Sequence, residues 1–219
     1  MSQSIPHSVI LITSLLLFGC VSISCGRNHG EGNSPQQASP PETLSEPRMS
    51  LTEFIDSVRD EVLEGEDDET TCDLDGPATD AAWQRLKERL SFELPGSLRD
   101  WWRYCDGGDY FGSIMMCIGE VPAQYTDGFD SVAFHSWGNG DFDHVVASEN
   151  APYPVGAVIF YCHENGRHAL VTNTLEEWFK ALYAEVKSEG GVNHPFDFLQ
   201  PGNADRQGMY RRVFEEIRD

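Results

Sequence analysis

Apolar residues recur at helical spacing where the folded part of the chain begins, and they predict a first helix. Ser50 and Glu53 form a capping box at the start of this helix. The acidic run 64–75 that follows has no periodicity, so it is predicted to be a solvated loop, with an electrostatic docking patch as the alternative. The apolar face of the helix consists of Leu51, Phe54, Ile55, Val58 and Val62.

Two more helices are predicted before the first strand. The stretch TDAAWQRLKERL, residues 79–90, has an apolar face at helical spacing. Pro95 prevents this helix from continuing, and a short helix capped by Ser97 follows it. Gly107 or Gly108 is predicted to end the short helix in the left-handed conformation. The inward residues of the two helices are Trp83, Leu86 and Leu90, and then Leu98, Trp101, Trp102 and Cys105.

Strand-like segments occupy the middle of the chain. Asn139-Gly140 and Asn165-Gly166 lie between consecutive segments. Asn-Gly favours a type I′ hairpin turn, because both central positions of that turn need a positive φ. The sheet is therefore predicted to be antiparallel and built from adjacent hairpins. The predicted strands are YFGSIMMCI, SVAFHSW, FDHVVAS, VGAVIFYCHE and RHALVTN.

Two helices are predicted after the strands. The first begins with a capping box formed by Thr174 and Glu177 and ends at Gly190. The second carries Met209, Tyr210, Val213, Phe214 and Ile217 on one face. Helices, then strands, then helices give an α+β class. We expect residues 49–219 to form a single domain whose mainly antiparallel, hairpin-rich sheet packs against N-terminal and C-terminal helices.

The first 48 residues are predicted to lie outside this domain. Residues 9–18 form an apolar run of signal-peptide length, and Leu17–Cys20 resembles a bacterial lipoprotein signal with Cys20 as the lipidated residue. Residues 1–20 are therefore read as a signal peptide, and residues 21–48, rich in Pro, Gly, Ser and Gln, as a disordered tether. This predicts a place at the cell envelope. Plain secretion, a membrane anchor, or an unprocessed N-terminus in the cytoplasm stay open.

The composition and charge narrow the possible partners. The chain of 219 residues carries a formal net charge of -21, which argues against binding to nucleic acid phosphates. The same charge suits a basic protein partner. The densest acidic cluster is predicted to supply the electrostatic contact with that partner, and it consists of Glu66, Asp67, Asp68 and Glu69.

Cysteine spacing leaves the redox state of the domain open. The cysteines Cys72, Cys105, Cys117 and Cys162 follow no C-x-x-C pattern, so zinc is not expected. A disulfide between Cys105 and Cys117 is one possibility for an exported protein. Free and mostly buried thiols are the other, and we favour them.

The stretch SWGNGDFDHV, residues 136–145, is the richest in candidate chemistry. A structural interpretation assigns every residue of Trp137–Asp141 a place in a hairpin turn. Trp137 and Phe142 would pack as cross-strand neighbours, and Asp141 would accept hydrogen bonds from backbone NH groups near the turn.

The alternative for this stretch is an exported metal-dependent hydrolase. Its ligands would be His135, Asp141, Asp143 and His163. Both histidines are predicted in strands with alternating sidedness, which disfavours their convergence on one ion. The chain also lacks G-x-S-x-G, H-E-x-x-H and a glycine-rich phosphate loop. No catalytic residue, metal or other cofactor is therefore predicted.

Four stretches follow one another in the order LPGSLRDWWRYCDGGDY, SWGNGDFDHVV, VIFYCHENG and TLEEWFKALYAEV. In this order they resemble the SUKH superfamily, the Smi/Knr-like group of fungal cell-wall assembly regulators and bacterial immunity proteins, and the resemblance covers about residues 78–187. The turn Gly138–Asp141 resembles the central signature of the family. The resemblance implies an α+β fold without a catalytic centre that binds and neutralises a toxin. A regulatory or structural binding lipoprotein of the cell envelope is the alternative.

Overall fold

The computed structural model describes residues 49–64, 69–121, 128–200, 203 and 206–218. The predicted signal peptide, lipidated cysteine and tether lie outside these residues. The described part contains five α-helices: α1 (Leu51–Val58), α2 (Asp80–Arg89), α3 (Gly96–Tyr104), α4 (Leu175–Glu189) and α5 (Arg211–Ile217). A 3-10 helix, Pro195–Leu199, precedes α5. The strands are β1 (Val62–Glu64), β2 (Glu69–Leu74), β3 (Gly108–Tyr110), β4 (Ser113–Met115), β5 (Ser131–Ser136), β6 (Phe142–Val146), β7 (Val158–Tyr161) and β8 (His168–Thr172).

The eight strands form one sheet in the order of the chain, from β1 to β8. Every neighbouring pair is antiparallel. Consecutive strands that pair with each other need only short connections, which agrees with the many turn residues of the sequence. The prediction of an α+β fold with an antiparallel, hairpin-rich sheet flanked by helices is confirmed.

The start of the domain differs from the prediction. The capping box of Ser50 and Glu53 is present, but α1 ends at Val58 and Val62 lies in β1. The prediction of a loop over the acidic run 64–75 is wrong in its described part, because β2 lies within it. In β2 only Cys72 is buried, and it pairs with Tyr110 of the neighbouring strand β3. The acidic residues gave β2 the composition of a loop, and the strand forms because it pairs with β3, which is distant in sequence.

Helix α3 has different ends from those predicted. Pro95 rather than Ser97 is its N-cap, and the helix gives way at Cys105 to extended backbone. Gly107 and Gly108 have positive φ angles of 106° and 109°, but they lie beyond the helix. A Cβ on Gly108 would come within 2.5 Å of the carbonyl oxygen of Asp73. The glycine is needed because two strands approach closely there.

The segment YFGSIMMCI, predicted as one strand, is a hairpin of β3 and β4. Its turn is formed by Phe111 and Gly112, with φ angles of 52° and 84°. A residue with a side chain rarely adopts a positive φ, which costs about 1–2 kcal/mol, so this turn has no signal in the sequence. The buried Phe111 ring packs against Tyr110 and Tyr183, with centroid distances of 5.0 and 5.5 Å, which offsets that cost.

The two Asn-Gly sites are in hairpin loops, but neither forms the predicted type I′ turn. Positive φ occurs at Gly138, Gly140 and Gly166, and not at Asn139 or Asn165. The loop after β5 runs from residue 137 to 141, and the loop after β7 from 162 to 167. Each is long enough to close through hydrogen bonds from its own side chains.

The helices after the sheet follow the prediction more closely. Thr174 caps α4, and Gly190 ends it with a φ of 75°. The terminal helix is shorter than expected, because Met209 and Tyr210 form a turn before α5. Helix α4 connects the sheet to α3: the Trp178 ring lies 4.9 Å from Phe134, and Phe179 lies 4.5 Å from Trp101.

The cysteines in the described part of the chain are free thiols, so the Cys105–Cys117 disulfide is not formed. Cys72, Cys105 and Cys162 are buried. Burial raises the pKa of the Cys72 thiol to about 11 and that of Cys105 to about 12. No helix within the described ranges is long and apolar enough to cross a bilayer.

Candidate functional site

A buried hydrogen-bonded chain connects α4, the C-terminal turn and the centre of the sheet. The Trp178 indole NH donates to the Tyr210 hydroxyl at 2.8 Å. That hydroxyl donates to Asp143 Oδ2 at 2.6 Å. His135 Nδ1 lies 2.6 Å from the same carboxylate oxygen. All four side chains are buried, so these hydrogen bonds join three parts of the fold in the interior.

The contact with Asp143 indicates which ring nitrogen of His135 carries a proton. Because the Asp143 carboxylate can only accept, His135 Nδ1 carries the proton. The other ring nitrogen, Nε2, is then an acceptor whenever the ring is neutral. Burial raises the pKa of Tyr210 well above its ordinary value, and the charge of Asp143 adds to this rise. The phenol therefore stays a donor.

Asp141 connects three loops at the end of the sheet. Its Oδ1 accepts the backbone NH of His163 and the Nδ1 proton of the same residue, both at 2.8 Å. Its Oδ2 lies 2.9 Å from His194 Nε2 and 3.2 Å from Asn139 Nδ2. Asp141 thus accepts a backbone NH as expected, although the donor is in the β7–β8 loop rather than in its own turn.

The environment of Asp141 favours its charged form. Burial alone raises its pKa, but hydrogen bonds from His194 and His163 outweigh that effect and lower the pKa to about 2. Gly140 allows the two loops to meet, since a Cβ there would lie 3.1 Å from the His163 ring. Asp141 therefore holds loops together, a structural role that agrees with its position in the turn.

The other residues of the Trp137–Asp141 stretch are arranged differently from the expected cross-strand pair. Phe142 pairs with Ser136 and not with Trp137. The Trp137 ring packs edge-on against Tyr210 and His194, with centroid distances of 4.9 and 4.8 Å. Trp137 lies in the loop after β5, where side chains need not alternate between the two faces of the sheet. Its ring can therefore turn towards the side of the sheet that carries the helices.

The four proposed metal ligands do not converge on one point. His135 contacts Asp143, and His163 contacts Asp141, as two separate pairs. His163 lies in the loop after β7 rather than in a strand, because β7 ends at Tyr161. Across the residues that the structure describes, no group of three or more His, Cys, Asp or Glu side chains is placed to hold a metal ion.

The sequence analysis missed the roles of three polar residues: His194 and Tyr210 in this network, and Glu185 in the neighbouring segment. His194 is the N-cap of the 3-10 helix, and Pro195 follows it at the first helical position, where proline is common. This proline could have been used to predict a helix start after His194. Tyr210 was predicted only as a core residue. The buried Glu185 accepts the backbone NH of Met209 at 2.7 Å, and burial raises its pKa. A glutamate on an amphipathic helix is expected on the exposed face, so the sequence around Glu185 did not indicate its buried position in α4.

A second candidate site lies on the sheet surface turned away from the helices. Five side chains of β1–β4 form this surface, which we call the outer patch: Val62, Thr71, Asp73, Asp109 and Ile114. They are neighbours by strand register, as Asp109 pairs with both Asp73 and Ile114. Val62 is 56% exposed and Ile114 is 54% exposed. The patch therefore presents apolar side chains beside carboxylates.

The predicted acidic cluster adjoins this patch where it is described. Glu69 begins β2, is exposed, and pairs with Glu64 of β1. It lies on the same side of β2 as Thr71 and Asp73, because alternate residues of a strand share a face. Glu66, Asp67 and Asp68 lie outside the described residues.

The chain matches a family of known proteins. The model of the SMI1 / KNR4 family (SUKH-1) matches residues 77–181. This range contains α2, α3, the strands β3–β8 and the first half of α4. No curated protein matches the chain. His194 and Tyr210 lie beyond the matched range, so part of the buried network is supplied by the segment that follows it.

Proposed function

Because residues 77–181 belong to the SUKH superfamily, we propose that this domain is a non-catalytic binding module that binds and neutralises a toxin protein. Proteins of the superfamily are generally non-catalytic immunity proteins and typically bind toxins. The observation that carries the proposal is the outer patch, where exposed apolar side chains stand beside carboxylates.

The chemistry of the outer patch suits a protein partner. The exposed Val62 on β1 and the exposed Ile114 on β4 offer apolar area that binding would remove from water. Ile114 has the pairing partner Asp109 beside it, and Asp73 follows on the next strand. The five residues include no lysine or arginine. Asp73 and Asp109 lie on the two strands between those of Val62 and Ile114. A partner with basic groups opposite these carboxylates and apolar groups on either side of them would therefore match this surface.

The buried polar groups support binding rather than chemistry. Asp141, Asp143 and His135 are at most 2% exposed and bond to other parts of the chain. Their contacts fix the relative positions of the loops and the C-terminal segment. A rigid sheet that keeps its shape on binding reduces the entropy lost on association.

The test is a neutralisation assay with a toxin domain encoded next to the gene of this protein. Survival of cells that co-express both proteins should depend on Ile114, and Ile114→Arg should abolish protection and binding measured by calorimetry. Val155→Arg is the matched control, since Val155 is 47% exposed and lies in the β6–β7 loop away from the patch. Equal protection by Ile114→Arg and the parent protein would exclude the patch as the binding surface. A domain that protects against no such toxin would contradict the immunity role.

We also propose that the domain is held at the cell envelope by a lipid on Cys20. The support is the apolar run 9–18, followed by Cys20 and a tether-like sequence. The same sequence favours the alternative role, a regulatory or structural binding lipoprotein with no dedicated toxin. The two roles differ in the assay above, because only the immunity role predicts protection by a single toxin partner.

A further inference from the structure

We propose that a groove between α2 and α3 binds an acidic segment of a second protein partner and holds one apolar side chain of that segment. Two cavities of about 290 and 410 Å³ form this groove. They adjoin each other, because Trp83, Lys87 and Arg99 line both. No described lining residue belongs to the outer patch, so the groove is a binding surface beyond the proposed function.

The first cavity is the apolar part of the groove. Trp83 and Leu90 were predicted to point inward, but they are only half-buried. Phe92 and Leu94, in the segment that joins the two helices, are half-buried as well. The volume of this cavity is about ten times the ~30 Å³ that a water molecule takes up in the liquid, so a leucine or phenylalanine side chain fits. Filling it would remove apolar area from water.

Contacts with the rest of the domain hold the walls of the groove in place. The Trp83 ring packs edge-on against Trp102, with a centroid distance of 6.4 Å. Trp102 is fully buried, and its indole NH donates to the backbone carbonyl of Met116 at 3.2 Å. Arg89, at the end of α2, donates to the carbonyl of Gly119 at 3.2 Å. A groove that is fixed before binding loses little entropy when a partner enters it.

The second cavity gives the groove its positive charge. Lys87, Arg99 and Arg103 are among its lining residues. Two acidic residues also line the groove: Asp80 lies in the first turn of α2, and Glu93 lines the apolar cavity. The three basic residues outnumber them, although the chain as a whole has a formal net charge of -21.

Two of these basic residues have no partner in the described part of the domain. Lys87 and Arg99 are exposed, and they form no ion pair or side-chain hydrogen bond with any residue that the structure describes. Lys180, by contrast, pairs with Glu176 at 2.6 Å. A partner carboxylate therefore reaches Lys87 or Arg99 without breaking an ion pair of the domain. Arginine can bind a carboxylate through two parallel hydrogen bonds, which makes Arg99 the more specific anchor.

The two parts of the groove together define the chemistry of the partner segment. An apolar side chain in the first cavity places the neighbouring residues of its segment close to Lys87 and Arg99, which line that cavity too. Carboxylates on either side of a leucine or phenylalanine match this arrangement. The basic partner proposed for the outer patch would meet like charge here, so the groove suits a different protein.

The groove can be tested before its partner is known. The probe is the peptide acetyl-Glu-Phe-Glu-amide, added to the full chain. We expect it to shift the indole NH signal of Trp83 saturably in nitrogen-15 NMR. The peptides acetyl-Gln-Phe-Gln-amide and acetyl-Glu-Ser-Glu-amide lack the charges and the apolar side chain respectively, and each should bind at least ~5-fold more weakly. Equal binding of the three peptides, or no saturable shift with the probe, would overturn the inference.

Charge reversal in the groove tests the basic part. Lys87→Glu should weaken binding of the probe about 10-fold, because a repulsion replaces an attraction. Arg85→Glu is the matched control, since Arg85 is exposed on the same helix but lines neither cavity. Residues two apart on a helix do not share a side. Measurements at 0.15 M salt, with a Debye length of about 8 Å, limit the effect of the distant charge. Equal effects of both variants would contradict a specific contact with Lys87.

A polar substitution tests the apolar part. Leu90→Asn should weaken binding of the probe at least ~5-fold, because it removes apolar surface from the cavity. Leu199→Asn is its control, since Leu199 is 66% exposed and lies outside the groove. Urea unfolding of each variant checks that the fold is kept. A folded Leu90→Asn variant that binds the probe as the parent protein does would overturn the role of the apolar cavity.

Other occupants of the groove have different signatures. If Lys87→Glu dissociates a dimer in sedimentation, the occupant is a second copy of this chain and the proposed partner is wrong. If deletion of residues 26–48 strengthens binding of the probe at least ~10-fold, which corresponds to 1.4 kcal/mol, the occupant is that segment of the chain and the proposal is again overturned.

The outer patch provides the distinction from the proposed function. Ile114→Arg should leave binding of the probe unchanged, because Ile114 does not line the groove. A domain that neutralises no toxin but binds the probe would overturn the immunity role and support the groove. A domain that neutralises its toxin but binds no probe would overturn the groove alone.

Discussion

Tyr210 donates a hydrogen bond of 2.6 Å to the buried carboxylate of Asp143. Asp143 lies within the family-matched range 77–181, and Tyr210 lies beyond it. The C-terminal segment of this chain therefore completes a polar network that the matched core begins. The hydroxyl also accepts from Trp178, so one atom serves two buried groups.

Loss of this hydroxyl should destabilise the domain. Tyr210→Phe leaves the Trp178 indole NH and Asp143 with fewer partners in the interior, which costs about 1–3 kcal/mol. Urea unfolding followed by tryptophan fluorescence measures the change. Tyr104→Phe is the control, because the Tyr104 hydroxyl bonds to exposed Asp56 at 2.6 Å and water can replace it. Equal losses of unfolding free energy in the two variants would mean that the buried hydroxyl of Tyr210 stabilises the domain no more than the exposed hydroxyl of Tyr104.

Asp141 should matter for stability in a defined pH range. Its pKa is lowered to about 2 in the folded protein, against 3.8 ordinarily. The stabilisation it gives is therefore complete above about pH 4 and is lost as the pH falls towards 2. Asp141→Ala should lower the free energy of unfolding by about 1–3 kcal/mol at pH 7. The difference in unfolding free energy between the variant and the parent protein should become smaller from pH 4 to pH 3.

The control for Asp141 is Asp100→Ala, since Asp100 is exposed and pairs only with exposed Arg103. Its effect on stability should stay within about 0.5 kcal/mol. If Asp141→Ala melts like the parent protein but no longer binds its partner, the residue is functional and the structural assignment is wrong.

His144 should make the domain sensitive to mild acid. Burial lowers its pKa from 6.5 to about 3, so the folded protein keeps the ring neutral. Below pH 6.5 the unfolded chain binds a proton that the folded chain does not. Stability then falls with decreasing pH, by up to about 1.4 kcal/mol per pH unit until pH 3. Unfolding of His144→Asn at pH 7 and pH 5 should show a flatter dependence than the parent. Parallel curves would argue against a buried neutral His144.

The acidic cluster should affect the rate of association. Charge reversal of Glu66, Asp67, Asp68 and Glu69 should slow binding to a basic toxin at low ionic strength. The defect should diminish near 0.5 M salt, where the Debye length is roughly 4 Å. Stopped-flow measurements at several salt concentrations test this, with thermal unfolding as the check on the fold. Rates that respond to neither reversal nor salt would assign the cluster no part in binding.

Cys20 should be the first residue of the mature protein and carry lipid. The apolar run before it and the tether-like sequence after it are the reasons. Mass spectrometry of the N-terminal peptide from the membrane fraction should show acylated Cys20, and Cys20→Ser should leave the membrane pellet. A peptide that begins at Met1 would rule out processing.

Some helices and strands could be predicted from the sequence, and others could not. Helix α4 was predicted with its cap Thr174 and its end Gly190, because capping and apolar spacing act within a few residues. The hairpin of β3 and β4 was missed, because its turn places Phe111 at a positive φ that only tertiary packing supports. The strand β2 was missed for a similar reason, since Cys72 gains its burial from β3.

The candidate sites divide in the same way. Sequence indicated the Trp137–Asp141 turn and the acidic cluster, but it gave no sign that His194 and Tyr210 would reach Asp141 and Asp143. Those contacts join residues far apart in the chain, and they form only after the sheet and α4 have packed.

The sequence by itself determined the α+β class, the antiparallel order of the hairpins and the strong negative charge, because these follow from local periodicity, turn residues and composition. Only the tertiary structure decided which polar residues are buried and which loops Asp141 connects. The physical reason is that a buried polar group needs partners, and the fold supplies them from distant parts of the chain.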